Sequence, residues 1–256
     1  MKKALWLCAF LIAPSVHAWN CKHEQSLDQV LDLSGTDVLT VNAGAGDLRI
    51  RGASGSDQAF IRGKICASDE DLLSKARVLT EGGRNAEITV DLPELDGGWS
   101  ISGNKYSYID LELEVPDSIE LNVHDSSGDI EIESVGSLVV QDSSGDVEIT
   151  DVNGTVSIND SSGDVEIEDV RGDVIVESDS SGDLEGNGIT GNVLVQKDSS
   201  GDIHFTDVDQ NFTVERDSSG DITGRNIGGN FTVEKDGSGG IRSDNVTGTV
   251  SIPEKS

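Results

Sequence analysis

Paired aspartates recur through the second half of this 256-residue chain at a spacing that suits cation binding. The letters DSSGD begin at Asp125, Asp142, Asp160, Asp179, Asp198 and Asp217, and a variant, DGSGG, begins at Asp236. If the units stack, the first and last aspartates of each unit form two columns. The candidate ligands are Asp142, Asp146, Asp160, Asp164, Asp179, Asp183, Asp198 and Asp202. Carboxylate oxygens are the ligands that calcium prefers, so the columns predict a possible calcium ladder.

A second interpretation of the same residues needs no ligand. Aspartate and serine hydrogen-bond to nearby backbone in turns, and glycine allows positive φ. The calcium nonapeptide G-G-x-G-x-D of β-roll proteins is absent from the sequence, and DSSGD offers fewer ligands than an EF-hand loop. The turn interpretation is favoured and no cofactor is expected, with calcium as the alternative.

Catalytic signatures are absent from the sequence. Beyond the first 18 residues the histidines are His23, His124 and His204, and His204 lies at an outward strand position between Ile203 and Phe205. The acids recur on every unit, whereas glycoside hydrolysis needs one distinctive carboxylate pair. We therefore expect no enzyme, with a carbohydrate-active enzyme as the weakest alternative. The tripeptide Arg171-Gly172-Asp173 falls at a recurrent turn, which explains it without receptor recognition.

The elements that position the aspartates follow from the repeat interval. Successive units begin 17, 18, 19, 19, 19 and 19 residues apart. Their consensus is D-S-S-G-D-Φ-x-Φ-x-x-Φ-x-G-x-Φ-x-Φ, where Φ is apolar, as in the unit with Val165 to Val176. Side chains two apart share a face only in strands, and the unit is too short for a crossover helix. The pattern predicts an all-β, single-chain parallel β-helix or β-solenoid with coils of about 19 residues.

The later coils have fewer apolar side chains. Gly186 and Gly224 replace the second apolar position, and Ser243 does so in the last coil. We expect the C-terminal end of the solenoid to be the weaker one, with Pro253 ending the final strand.

The beginning of the chain reads as an export signal. Residues 1–18 combine Lys2 and Lys3, an apolar stretch and a small-residue pattern ending at Ala18. We expect cleavage after Ala18 and a periplasmic or extracellular location, without a membrane span. In an oxidising compartment Cys21 and Cys66 predict a disulfide, whereas a metal site with His23 would lack recognisable further ligands.

The segment 19–123 is strand-rich but irregular. Residues 38–50 read as a degenerate coil, and a hairpin is expected around 82–85. Ser68 is expected to cap a short helix containing Leu72, Leu73 and Ala76. We interpret 19–123 as an irregular half that caps a regular solenoid over 124–253, both in one elongated domain.

The chain resembles the bacterial putative-adhesin family of β-strand-repeat proteins. The resemblance rests on the signal, the turn at Val115-Pro116-Asp117, and the serial S-G-D-[IV]-x-[IV] and [IV]-x-G-x-[VF] coils over about residues 38–252. It implies a solenoid and an adhesin-type role but no particular functional residues.

A net charge of −30 limits the classes of molecule that can bind this protein. Nucleic acids and anionic lipid require a basic face, so neither is expected as a partner. We expect a non-enzymatic exported solenoid that presents a repetitive acidic surface to an unknown protein or a surface polysaccharide. The alternatives are an envelope element that assembles end to end rather than remaining a monomer, and a calcium-binding solenoid.

Overall fold

Two long sheets face each other along the molecule. The computed structural model describes residues 21–95 and 105–253, so the expected signal at 1–18 lies outside the described residues. In chain order the elements are β1 (His23–Asp32), β2 (Val38–Ala45), β3 (Leu48–Ala53), β4 (Gln58–Ala67), α1 (Glu70–Lys75), β5 (Arg77–Glu81), β6 (Asn85–Asp91), β7 (Ser107–Pro116), β8 (Glu120–Ser127), β9 (Ile130–Glu133), β10 (Leu138–Gln141), β11 (Val147–Val152), β12 (Val156–Asn159), β13 (Val165–Val170), β14 (Val174–Ser178), β15 (Leu184–Ile189), β16 (Val193–Val195), β17 (Ile203–Val208), β18 (Phe212–Val214), β19 (Ile222–Ile227), β20 (Phe231–Val233), β21 (Ile241–Val246) and β22 (Val250–Ser251).

Each repeat contributes one strand to each sheet. Sheet A has the order β1-β4-β7-β3-β9-β11-β13-β15-β17-β19-β21, and sheet B the order β22-β20-β18-β16-β14-β12-β10-β8-β2-β6-β5. From β9 and β8 onward all pairings are parallel, and equivalent repeat positions stand side by side, as Val147 does with Val165. The predicted β-solenoid of about seven turns is therefore confirmed.

The solenoid continues into the N-terminal half in an order that differs from the chain. Strands β2 and β3 pair in parallel with β8 and β9, which confirms the degenerate coil predicted at 38–50. On their other sides β2 and β3 pair with β6 and β7. The coil formed by the earlier strands thus lies between later strands of the chain.

Antiparallel strands flank this first part of the stack. Strand β4 pairs with β7 and β1, and the predicted hairpin is present as β5 and β6. The helix α1 is capped by Asp69, whose carboxylate accepts the N–H of Leu72 at 3.0 Å. The prediction of Ser68 as the cap was wrong by one residue, and Ala76 is the C-cap rather than a helical residue. Asp69 is the N-cap because its extended backbone directs the carboxylate toward the amides of the first helical turn.

Cys21 and Cys66 form a disulfide with their Cα atoms 5.6 Å apart. Cys66 lies in β4 and is fully buried. The bond joins Cys21, two residues before β1, to the far end of the strand that pairs with β1, as the sequence predicted.

Glycines of the DSSGD corners are required by both conformation and space. Gly163 has φ of 131°, and a Cβ there would overlap the carbonyl oxygen of Gly145 in the preceding coil. A further bend lies within the sheet A strands or, at Ser134, just after the strand, where the residue before the third apolar position adopts φ near +55°. The residues at this bend are Ser134, Asp151, Asp169, Asp207, Asn226 and Asn245, and Gly188 occupies the equivalent position in its own coil.

The later coils are as well packed as the earlier ones, contrary to the expectation from Gly186 and Gly224. A Cβ on Gly186 would overlap the ring of Phe205, which is fully buried. The ring centre of Phe212 lies 5.1 Å from that of Phe205 and 5.2 Å from that of Phe231. The glycines therefore make room for aromatic side chains, and only the last coil is exposed.

Candidate functional site

The first aspartate of each complete DSSGD unit lies inside the solenoid, and Asp236 of the DGSGG variant is half-buried. Asp160 and Asp179 are completely buried, and Asp125, the most exposed of the first six, retains only 6% of its surface. We call this set the inner column. Its members are Asp125, Asp142, Asp160, Asp179, Asp198, Asp217 and Asp236.

The inward direction follows from strand alternation. In β12, Val156 and Ile158 point into the core, and Asp160 is the next residue in that period of two. Before Asp179 one extra residue interrupts the alternation, and the register shifts after Ile158. This insertion accounts for the change from an 18-residue to a 19-residue interval.

Several inner-column carboxyls are poorly satisfied. Within the described residues, neither carboxyl oxygen of Asp125, Asp142 or Asp160 has a hydrogen-bond partner. Further along, Asp198 accepts the N–H of Ser199 at 2.7 Å through one oxygen, while its other oxygen is buried without a partner among those residues. Buried carboxyls in this situation favour the protonated form.

The electrostatics of the inner column follow from this burial. Loss of solvent raises the pKa of Asp160 to about 7, and its neighbours Asp142 and Asp179 add to the rise. The nearby amides of Ser161 and Ser162 lower the pKa of Asp160 although neither makes a hydrogen bond of good geometry to its carboxyl, and they offset the rise only in part. Burial likewise raises the pKa of Asp125 to about 7 and that of Asp179 to about 6. The same cause raises the pKa values of the remaining shifted members, Asp142, Asp198 and Asp217.

The last aspartate of each unit lies at the surface and has a hydrogen-bonding role. Oδ1 of Asp146 accepts the backbone N–H of Asp164 at 3.0 Å, and Oδ1 of Asp164 accepts that of Asp183 at 2.9 Å. We call this set the outer column. Its members are Asp129, Asp146, Asp164, Asp183, Asp202 and Asp221, and the ladder ends at the amide of Gly240. Aspartate is favoured here because its short carboxylate reaches the next coil's amide.

The structure separates the two columns of the predicted calcium ladder. Asp142, Asp160, Asp179 and Asp198 are buried, whereas Asp146, Asp164, Asp183 and Asp202 are exposed. Over residues 21–95 and 105–253, no group of three or more His, Cys, Asp or Glu side chains is placed to hold a metal ion. Calcium binding by these eight aspartates stays a prediction.

The outer face of sheet A carries a row of glutamates that sequence reasoning did not single out. Glu131, Glu148, Glu166 and Glu185 stand in register on consecutive coils and are exposed. We call them the Glu row. Strand spacing puts neighbours about 4.8 Å apart, where two unit charges repel by about 0.9 kcal/mol even at the dielectric constant of water. The alternation E-x-E in each first strand was the signal that could have revealed the row.

Among the described residues, only the first member of the Glu row has a basic partner. Arg49 contacts Glu131 at 2.7 Å, whereas no basic side chain of the described residues forms an ion pair with Glu148, Glu166 or Glu185. Partial burial raises the pKa of Glu148, and the charges of Glu131 and Glu166 add to the rise. The opposite face of the solenoid differs, because the corresponding outward column of sheet B is uncharged from Asn122 to Thr232. That column comprises Asn122, Val139, Ser157, Ile175, Leu194, Thr213 and Thr232.

The remaining candidates have structural surroundings. Arg171 contacts Asp151 at 3.0 Å, and Asp173 accepts the backbone N–H of Asn192 at 2.7 Å, so both charged ends of the tripeptide are engaged within the solenoid. His204 points outward and its Nε2 lies 3.1 Å from the hydroxyl of Thr206. No helix of the described part of the chain is long and apolar enough to cross a membrane.

Comparison with known proteins identifies the architecture. A family model described as Toastrack DUF4097 matches residues 39–245. No curated protein matches the chain.

Solved structures are similar over most of the chain at low identity. A putative lipid binding protein from Parabacteroides distasonis is 16% identical with a TM-score of 0.42, and the similarity covers 88% of this chain and 96% of that one. A putative adhesin from Bacteroides fragilis is 11% identical with a TM-score of 0.39, covering 90% and 97%. A putative cell adhesion protein from Clostridium sporogenes is 13% identical with a TM-score of 0.31, covering 90% and 99%.

Proposed function

The chain belongs to the Toastrack DUF4097 family, and from that premise we propose that it is an exported, non-enzymatic binding protein whose Glu row docks a protein with a basic surface. The observation that carries the proposal is the in-register stack of Glu148, Glu166 and Glu185 on sheet A, which form no ion pair within residues 21–95 and 105–253. Export is part of the proposal and rests on the signal pattern of residues 1–18.

The physical argument is one of complementary charge. Three glutamates held at strand spacing repel one another, and the rigid sheet prevents them from moving apart. A partner with lysines or arginines along an extended segment relieves this repulsion and gains charge-assisted contacts. Because the row is solvent-exposed, the attraction should weaken as salt is added.

Repetition also argues against catalysis as the role of these acids. A hydrolytic site needs one carboxyl that differs from its partner in pKa and position. Glu148, Glu166 and Glu185 occupy equivalent positions on successive coils, so none of them stands out. Equivalent sites suit the recognition of a repetitive or extended ligand.

The test is calorimetric binding of a lysine-rich peptide to the full chain at low and high salt. The triple variant Glu148→Gln, Glu166→Gln, Glu185→Gln should bind at least tenfold more weakly. The matched control removes three exposed acids elsewhere, by Asp209→Asn, Glu215→Gln and Glu234→Gln, and should bind almost as well as the parent protein. Equal weakening by both variants would indicate attraction to net charge alone and would refute a site on sheet A.

Calcium held by the inner column is the second candidate. The observation that favours it is the pair of buried, unpartnered oxygens on Asp160 and on Asp142 among the described residues. If calcium binds there, melting at pH 8 should shift upward with millimolar calcium relative to chelator. Asp160→Asn should abolish the shift, whereas Asp164→Asn in the outer column should preserve it. An unchanged melting temperature in the parent protein contradicts calcium binding.

A further inference from the structure

We propose that the last coil pairs with the last coil of a second copy, so that two solenoids join tail to tail through β21 and β22. This inference does not rest on the proposed binding role of the Glu row.

In the part of the chain that the structure describes, nothing covers the inward side chains of the last coil. Val250 is 44% exposed and Ile252 is 51% exposed, and Ile241 and Val246 are half-buried. Their counterparts one coil earlier, Ile222, Ile227, Phe231 and Val233, are at most 2% exposed. The difference is what one further layer of strands would cover.

Backbone groups at the same end are also available. The N–H of Ile222 donates to the carbonyl of Gly240 in the next coil, which shows that this position directs its amide along the stack. Ile241 stands in register with Ile222, and hydrogen-bonding direction alternates along a strand. The amide and carbonyl groups of Ile241 and Ser243 therefore point to the outer edge of β21. Within the described part of the chain, no strand pairs with that edge.

The β21 edge is complementary to itself in charge. An antiparallel pairing centred on Ser243 places Arg242 of each copy opposite Asp244 of the other, with both side chains on the solvent face. Both residues are exposed, and Arg242 also contacts Asp221 of its own chain at 2.6 Å. A two-fold axis through this point continues sheet A with sheet A and sheet B with sheet B.

The electrostatic balance of this end permits two copies to meet. Residues 125–221 contain 25 acidic and 3 basic residues, so coils from the middle of two molecules repel each other. Residues 222–253 contain three acidic and three basic residues. These are Glu234, Asp236 and Asp244 with Arg225, Lys235 and Arg242. The uncovered end is thus also the neutral end of a strongly acidic solenoid.

Charge reversal gives a direct test by sedimentation of the full chain over a wide concentration range. The parent protein should form dimers and no larger species. Arg242→Asp puts two acids on the edge and Asp244→Arg puts two arginines there, so each variant alone should dissociate at least tenfold more readily. An equimolar mixture of the two variants should recover dimers, because each edge then faces opposite charges.

Controls separate pairing from folding. Arg171→Asp makes the same charge change in a middle coil and should leave the dimer unchanged. Arg242→Asp also removes the ion pair with Asp221 and could disrupt the last coil for that reason. Asp244→Arg then still tests the pairing of two copies, since Asp244 has no ion pair or side-chain hydrogen bond among the described residues. A parent protein that stays monomeric, oligomers that keep growing with concentration, or a mixture that fails to recover dimers would each overturn the proposal. Recovery of a heterodimer would identify the second copy, rather than an unrelated peptide, as the occupant of the edge.

Discussion

Replacing Asp160 by asparagine should stabilise the protein at pH 8 and have little effect at pH 4. Asp160 is completely buried, and among the described residues both of its carboxyl oxygens lack partners. Its pKa is raised from 3.8 to about 7 by loss of solvent and by the charges of Asp142 and Asp179. Asparagine keeps the shape of the side chain but never carries the charge.

The magnitude follows from proton linkage. Between the unfolded pKa of 3.8 and the folded pKa of about 7, the folded protein holds a proton on Asp160 that the unfolded chain has lost. The free energy of unfolding therefore falls as pH rises through this window, by about 1.4 kcal/mol per pH unit for this group. Over the whole window the loss is about 4 kcal/mol, and the asparagine variant avoids it.

The assay is urea unfolding of the parent protein, Asp160→Asn and a control variant, Asp164→Asn, at several pH values between 4 and 8, with chelator present throughout. Asp160→Asn should exceed the parent protein in free energy of unfolding by up to about 4 kcal/mol at pH 8, with the two converging at pH 4. The control Asp164→Asn changes an exposed outer-column residue that accepts the amide of Asp183, and should not reproduce the difference. Destabilisation by Asp160→Asn of the same size at both pH values would refute the account of a buried, uncompensated carboxyl.

Three further changes test packing, backbone conformation and the disulfide. Gly186→Ala should destabilise by about 1–3 kcal/mol in urea unfolding because its Cβ would overlap the ring of Phe205, whereas Gly82→Ala, which has room, should not. Asp169→Val should lower the melting temperature through a strain of about 1–2 kcal/mol at φ of 54°, while Asp169→Asn should be tolerated. Cys66→Ser should cost about 2–5 kcal/mol, and a reducing agent should lower the stability of the parent protein but not of this variant.

The repeat predicts the solenoid because its apolar residues alternate over two strands per unit. The alternation also contained the inner column, since Asp160 follows Val156 and Ile158 at the same spacing of two. The composition of DSSGD concealed this, because aspartate and serine are also what an exposed turn requires. Side-chain direction at a corner depends on how the coil closes, because Asp179 points inward like Asp160 although one extra residue precedes it.

Other features could not be predicted without knowing which residues of the neighbouring coil lie beside them. Gly186 looked like a missing core residue until Phe205 was placed beside it from the next coil. The outer column looked like turn residues, yet each carboxylate serves an amide 17 to 19 residues later. The order of strands in the N-terminal half could not be deduced, because nothing local in β2 or β3 specifies that β6 and β7 will lie beside them.

The outer column has a consequence for how this protein can vary in length. Each of its carboxylates accepts an amide from the coil that follows, as Asp183 does from Asp202. A whole 19-residue unit could therefore be duplicated or deleted, and every carboxylate of the outer column would still accept a backbone N–H from the next coil. Because equivalent positions stand side by side, each duplication would lengthen the rod by one strand spacing, about 4.8 Å. Gene duplication could thus adjust the reach of the molecule in fixed steps, while the interleaved strands at its N-terminal end stay unchanged.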